Sequence, residues 1–261
     1  MFLLDAATYN VRKNNIHPFE KFFYMLSMLA VSLSSKNLIV FIIIFFLSIL
    51  LTLYITKIKL VGMIKLLLLP MLFIITSIIP VVFSFGRYAA NSIFSISLSG
   101  FYMYVSKESL MMGAVLFSRV VASVSVFYFF VLSTPIIELE YILTKLKLPG
   151  IFIEIFILMY RFIFVFMGIT SGIILSQNSR MGYRNYKTSF NSFYLLASSS
   201  FIKSYIFMKN SYNALLSRGY NGQLNILHKN YSFSFFNIAS LITVNAALVF
   251  IINFKIFIRW I

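Results

Sequence analysis

The 261-residue sequence contains no cysteine, which removes disulfides, thiolate nucleophiles and zinc–thiolate sites together. Acidic residues are scarce: there are six, and after Glu154 the chain has none while ten Lys and Arg follow. Only two histidines occur, His17 and His228, and with the acids dispersed they offer no set of transition-metal ligands. His17, just before Pro18, reads as a loop or helix-start residue rather than a ligand. None of the ten glycines is followed by Lys, so the Gly-x-x-x-x-Gly-Lys-Ser/Thr loop that cradles nucleotide phosphates is missing. Serines are plentiful, yet no Gly-x-Ser-x-Gly elbow accompanies them. These absences exclude the common hydrolytic chemistries and leave a non-catalytic chain that binds no cofactor of its own.

Charge is also thin, at 11% of residues, against about 25% in soluble domains. What fills the space is apolar: 61% hydrophobic residues, among them 31 Phe, and a mean hydropathy of +0.93. The formal net charge of +16 comes from basic residues scattered between apolar runs, as in the cytoplasmic loops of membrane proteins. A nucleic-acid module needs a soluble basic face instead, so nucleic acid is excluded as a partner. The expected fold is all-α and polytopic, with about five transmembrane helices plus two long helices lying in the cytoplasm or at the interface. The partner common to all of them is the lipid bilayer of the cell membrane.

Leu38 to Thr56 is 19 residues without a charge, enough for one span. Phe22 to Ser35 is shorter and needs its flank back to Pro18 to cross, turning at Lys36 and Asn37. No cleavable signal is visible before it, and the basic N-terminus with Lys57, Lys59 and Lys65 places both flanks on the cytoplasmic side. A third span runs from about Leu66 to Phe85 across Pro70 and Pro80, and Gly86 to Ser106 reads as an external loop. The fourth, about Ser109 to Ser133, holds Arg119 near its middle, where a charge must face protein or water. Phe233 to Phe254 is a last span, ending before Arg259 and Trp260. Three regions follow: a four-helix membrane domain over 1–133, a coupling region over 134–230 and a C-terminal helix over 231–261.

Pro135 to Gly150, with Glu138, Glu140, Lys145 and Lys147, reads as a short amphipathic helix along the membrane surface. Ile151 to Asn178 is apolar enough to span, yet basic residues flank it on both sides, which conflicts with a single crossing. Gly168 and Gly172, continued at the same spacing by Ser176 and Arg180, form a stripe that suits a helix crossing. Glu154 and Arg161 share a face two turns apart. A second long helix, about Ser189 to Leu216, follows.

These two long segments end alike. The first closes in Ser179-Arg180-Met181-Gly182-Tyr183 and the second in Ser217-Arg218-Gly219-Tyr220, 38 residues apart. Glycine is the usual left-handed helix terminator, and the Arg fork suits carboxylates or exposed carbonyls on another protein. The repetition suggests equivalent contacts offered to two equivalent partners.

On these signatures the chain resembles the T component, or transmembrane coupling subunit, of energy-coupling-factor (ECF) transporters, and within it the cobalt-type CbiQ family. Asp5, Ala7, Thr8, His17-Pro18, Glu20-Lys21, Pro149-Gly150 and Arg161 add to the resemblance, as does the extra apolar Met181 before Gly182-Tyr183. The resemblance implies that Ser179, Arg180 and Gly182, with Ser217, Arg218 and Gly219, dock into two ATP-binding-cassette (ABC) ATPase subunits, where ATP is bound and hydrolysed. It implies a substrate-binding integral membrane subunit as third partner, cobalt or nickel as cargo held there, and a cytoplasmic N-terminus and coupling region. Gly168 and Gly172 would set the crossing of the two coupling helices. From the residues alone two other readings stand: a self-contained secondary transporter or channel with Arg119, Glu154 and Arg161 lining its path, and a membrane enzyme holding anionic lipid on residues 180–229. The first lacks an inverted repeat and the second lacks a catalytic acid, base or nucleophile.

Overall fold

A computed structural model describes residues 16–56, 58, 60–86, 92–98, 101–222 and 234–258. Asp5, Ala7, Thr8, Lys57, Lys59, His228, Arg259 and Trp260 lie outside them. Among the described residues, eight helices and three short strands follow one another: α1 (Pro18–Ser34), α2 (Leu38–Ile55), α3 (Leu60–Val82), β1 (Ser84–Gly86), β2 (Ser92–Leu98), β3 (Phe101–Ser106), α4 (Lys107–Ser133), α5 (Ile136–Lys145), α6 (Gly150–Ser179), α7 (Tyr186–Leu216) and α8 (Phe235–Ile258). The chain divides into two compact units, residues 1–139 with 230–261 and residues 140–229.

In the first unit α4 is the hub and packs against α1, α2 and α3, while α8 lies on α1 and α2. A cluster of Met63, Leu67 and Leu132 forms the contact of α3 with α4, joined by Phe45 and Ile49 of α2. Tyr24 of α1 stacks edge-on against Phe129 of α4 at 4.7 Å and meets the Ser48 hydroxyl of α2 at 3.2 Å. Buried hydroxyls are satisfied locally, as where Thr52 and Thr56 donate to the carbonyls four residues back at 2.7 and 2.6 Å. Outward positions such as Leu68, Leu72 and Phe73 are apolar and exposed, as a lipid-facing surface requires.

Among the described residues four helices, α2, α3, α4 and α6, are long and apolar enough to cross a membrane. α1 has 17 residues and begins at Pro18 with His17 as its N-cap, whose Nδ1 accepts from the Phe19 amide at 3.2 Å. α3 starts at Leu60, six residues before the expected Leu66, because Lys65 is a good helix former and does not interrupt propagation. Pro70 and Pro80 stay inside it.

The region expected as a loop before α4 carries instead an antiparallel three-stranded sheet in the order β1-β3-β2. Leu98 pairs with Phe101, and a register shift falls between Ser92 and Phe94. Its signal lies in the Phe94-Ser95-Ile96-Ser97-Leu98 alternation, whose period of two is that of a strand. α5 runs between Pro135 and Pro149 as expected, with the Lys145 ammonium 5.7 Å above the Tyr141 ring.

Candidate functional site: two arginine-tipped helix ends

The second unit is dominated by a helical hairpin. α6 is unbroken for 30 residues and α7 for 31, so each is about 45 Å long at 1.5 Å per residue. They run antiparallel along their length. The Gln177 amide donates to the Ser192 carbonyl at 2.9 Å, Thr170 reaches Ser200 at 3.3 Å, and Phe162 meets Phe207 edge-on at 6.3 Å. At the far end the Tyr220 hydroxyl donates to the Glu154 carboxylate. Arg180 therefore sits at the turn of the hairpin and Arg218 at its opposite end, both exposed.

The two ends share one backbone design, repeated at an offset of 38 residues. Ser179 and Ser217 each donate their hydroxyl to the carbonyl four residues back, at 3.1 Å to Leu175 and 3.0 Å to Asn213. The Arg180 and Arg218 amides donate to Gln177 and Leu215 at 3.2 and 3.0 Å. The next amides, of Met181 and Gly219, reach Asn178 and Leu216, both at 3.0 Å, and those of Gly182 and Tyr220 return to Gln177 and Leu215 at 2.8 and 3.1 Å. A bond that spans five residues and closes just after a left-handed residue marks the Schellman termination. That residue is Met181 at the first end, φ 59°, and Gly219 at the second, φ 78°.

Gly182 thus does not play the part of Gly219, as the sequence suggested. A Cβ there would lie 2.7 Å from the Ser192 hydroxyl and 3.0 Å from the Gln177 carbonyl. The Ser192 hydroxyl donates to the Gly182 carbonyl at 2.8 Å, so the glycine lets the turn lie against α7.

Gly168 and Gly172 do not make the contact between α6 and α7, which corrects the expectation of a crossing there. Both are exposed, with open space where a Cβ would be. Each lies two residues from Thr170, which faces α7, and two residues turn an α-helix by about 200°. The small-residue stripe is therefore on the opposite side of α6.

Arg161 is exposed and, with Lys209 and Arg218, rims a cavity of about 670 Å³ between the two helices, whose apolar wall includes Leu158, Phe162 and Leu215. Glu154 is held by Tyr220, whose phenol is pushed up to about 12, first because the hydrogen bond to the carboxylate needs the phenol proton and further because ionisation would set two anions side by side. Tyr220 was not singled out as a partner of Glu154 in the sequence, and its place directly after Gly219 was the available signal. Arg119, in the first unit, donates from Nη2 to the Ser35 carbonyl at 2.8 Å and lies 5.8 Å from the Phe41 ring centre. Among the described residues no group of three or more His, Cys, Asp or Glu is placed to hold a metal ion.

Long apolar helices around a membrane-facing core, with one helical hairpin in a separate unit, define an all-α polytopic membrane protein of multi-pass type. Residues 14–228 match the family described as CbiQ, cobalt transport protein, and the chain belongs to that family. It is 30% identical over 225 residues, 86% of this chain and 83% of the relative, to an uncharacterized protein of Methanocaldococcus jannaschii. It is also 35% identical over 125 residues to a putative fused cobalt transport protein, CbiMQ, of Methanocorpusculum labreanum, a match covering 48% of this chain and 21% of that one.

Proposed function

We propose that this chain is the transmembrane coupling subunit of an ECF-type ABC importer for cobalt or nickel. In this role it binds no cofactor and passes ATP-driven motion of two ATPase subunits to a substrate-binding membrane subunit that holds the ion. The observation that carries the reading is the duplicated helix end. One hydrogen-bonding pattern presents Arg180 and Arg218, each one residue before a left-handed turn, at opposite ends of a hairpin. Two equivalent fittings about 45 Å apart suit two equivalent partners, and an exposed guanidinium at a helix C-terminus suits an acidic or carbonyl-lined groove. Membership of a cobalt transport family supports the cargo class, and a fused relative much longer than the matched segment supports work beside other transport segments.

In this reading the N-terminus and the hairpin face the cytoplasm. Residues 1–133 and 231–261 form the membrane domain and 134–230 the coupling region. Closure of the ATPases on ATP draws the two arginine ends with them, and the stiff antiparallel pair turns that displacement into motion of the membrane helices.

The test is purification of the tagged chain from its own membranes in mild detergent, with mass-spectrometric identification of what accompanies it. Wild type should bring ABC ATPases and a second membrane protein. Arg180→Glu combined with Arg218→Glu should remain folded in the membrane and lose the ATPases. Retained assembly and transport in that double variant would overturn the proposal.

A further inference from the structure

The first unit is built from two stretches of chain, residues 1–139 and 230–261, so the backbone leaves it once and returns once. The exit lies just beyond Glu138 and the return just before Ser234. Both are gripped by two consecutive residues of the first turn of α1.

The Lys21 ammonium is 1% exposed and donates to the Glu138 carboxylate at 2.6 Å, itself 3% exposed, and to the Ser133 carbonyl at 2.8 Å. It thereby ties the end of α4 and the start of α5 to α1. Its neighbour Glu20 is also buried. One of its oxygens accepts from the Ser234 amide at 3.0 Å and the other from the Asn237 side-chain amide at 2.8 Å, holding the first turn of α8. Consecutive helical residues point about 100° apart, which is how one turn reaches both passages.

We propose that Glu20 and Lys21 are the anchor through which displacement of residues 140–229 reaches the membrane helices. The inference rests on the coupling reading above. Packed apolar side chains transmit displacement through contact alone. A charge withdrawn from water holds to its partner, because separation would leave it unpaired in an apolar surround. Each passage is therefore tied to α1 by charge-assisted hydrogen bonds, and a pull on either is delivered to the same turn. Glu20 and Lys21 are positioning residues, acting through the two chain passages they hold.

The test separates anchoring from folding. Lys21→Met alone removes the ammonium that compensates the buried Glu138 carboxylate and should melt earlier. Lys21→Met with Glu138→Leu replaces the buried pair by apolar side chains, an exchange that is often neutral or stabilising. That double variant should keep its melting temperature and its co-purifying ATPases. In proteoliposomes the complex assembled on it should still hydrolyse ATP through the ATPase subunits, while cobalt uptake per ATP falls at least tenfold. Wild-type uptake per ATP in the double variant overturns the anchor. Should that variant fail to fold, Glu20→Leu with Asn237→Leu, which removes both bonds of the Glu20 arm, is read by the same ratio, and an unchanged ratio again overturns it. Wild-type protein that brings down no ATPase fails the coupling reading itself, a different result from an assembled but fully coupled variant.

Discussion

Met181 and Gly219 occupy the same left-handed backbone position, each one residue after the arginine that ends its helix. Only one of them is the residue that conformation favours. A side chain in the left-handed region costs about 1–2 kcal/mol, partly offset in a glycine variant by the greater freedom of its unfolded chain, about 0.4–1 kcal/mol. Met181→Gly should therefore stabilise the hairpin by about 0.5–1 kcal/mol, and Gly219→Ala, by the same two terms reversed, should destabilise it by about 0.5–1 kcal/mol. Thermal unfolding in detergent, followed by circular dichroism, checks both signs.

Gly182 sits where a methyl group would press on Ser192 and on the Gln177 carbonyl. The Ser192 hydroxyl can rotate away, but it then gives up its bond to the Gly182 carbonyl, and the backbone oxygen cannot rotate. Gly182→Ala should cost about 1–3 kcal/mol, the usual range for overpacking. It should also loosen the turn that presents Arg180, visible as faster hydrogen exchange of the amides of residues 180–184 than in wild type.

The Tyr220 phenol is raised to about 12 by the Glu154 carboxylate. A group whose folded value exceeds its unfolded value stabilises the fold below the unfolded value and loses that contribution as pH rises through the folded one. The link between the end of α7 and the start of α6 should thus hold at neutral pH and open only in strong alkali. Glu154→Gln should return the phenol towards about 10. Titration of protein labelled with carbon-13 at tyrosine, with Tyr220→Phe to assign the signal, checks it.

Arg119 is held by the carbonyl of Ser35 and the face of Phe41. A hydrogen bond from a charged donor contributes about 1.5–3 kcal/mol, so Arg119→Met should lower the melting temperature. Uptake per ATP in the protein that remains folded should be unchanged. Loss of transport in folded Arg119→Met would instead mark a residue lining a path.

Much of this architecture was legible in the residues, for reasons specific to each element. α2 is an uninterrupted apolar run, α5 is bracketed by Pro135 and Pro149, and the duplicated arginine ends needed only a count of 38. The sheet was masked by its serines: Ser95 and Ser97 read as loop chemistry until their alternation with Phe94, Ile96 and Leu98 is weighed. The Gly168–Gly172 stripe was visible, but a spacing of four does not say which side of a helix a partner takes, and Thr170 decided it. Met181 looked like an insertion because glycine was taken as the terminator; only the backbone shows that the position, not the residue, is repeated. The grip of Glu20 and Lys21 joins residues more than a hundred positions apart, and no local pattern announces it.

α1 spans 17 residues and the α4 beside it spans 27, or about 26 Å against 40 Å at 1.5 Å per residue. A hydrocarbon layer is about 30 Å thick, so the shorter helix stops before the lipid does, and the guanidinium of Arg119 rests on Ser35, where it stops. A span shorter than the lipid is met by local thinning of the bilayer, and a cation at its end is met by headgroups and water.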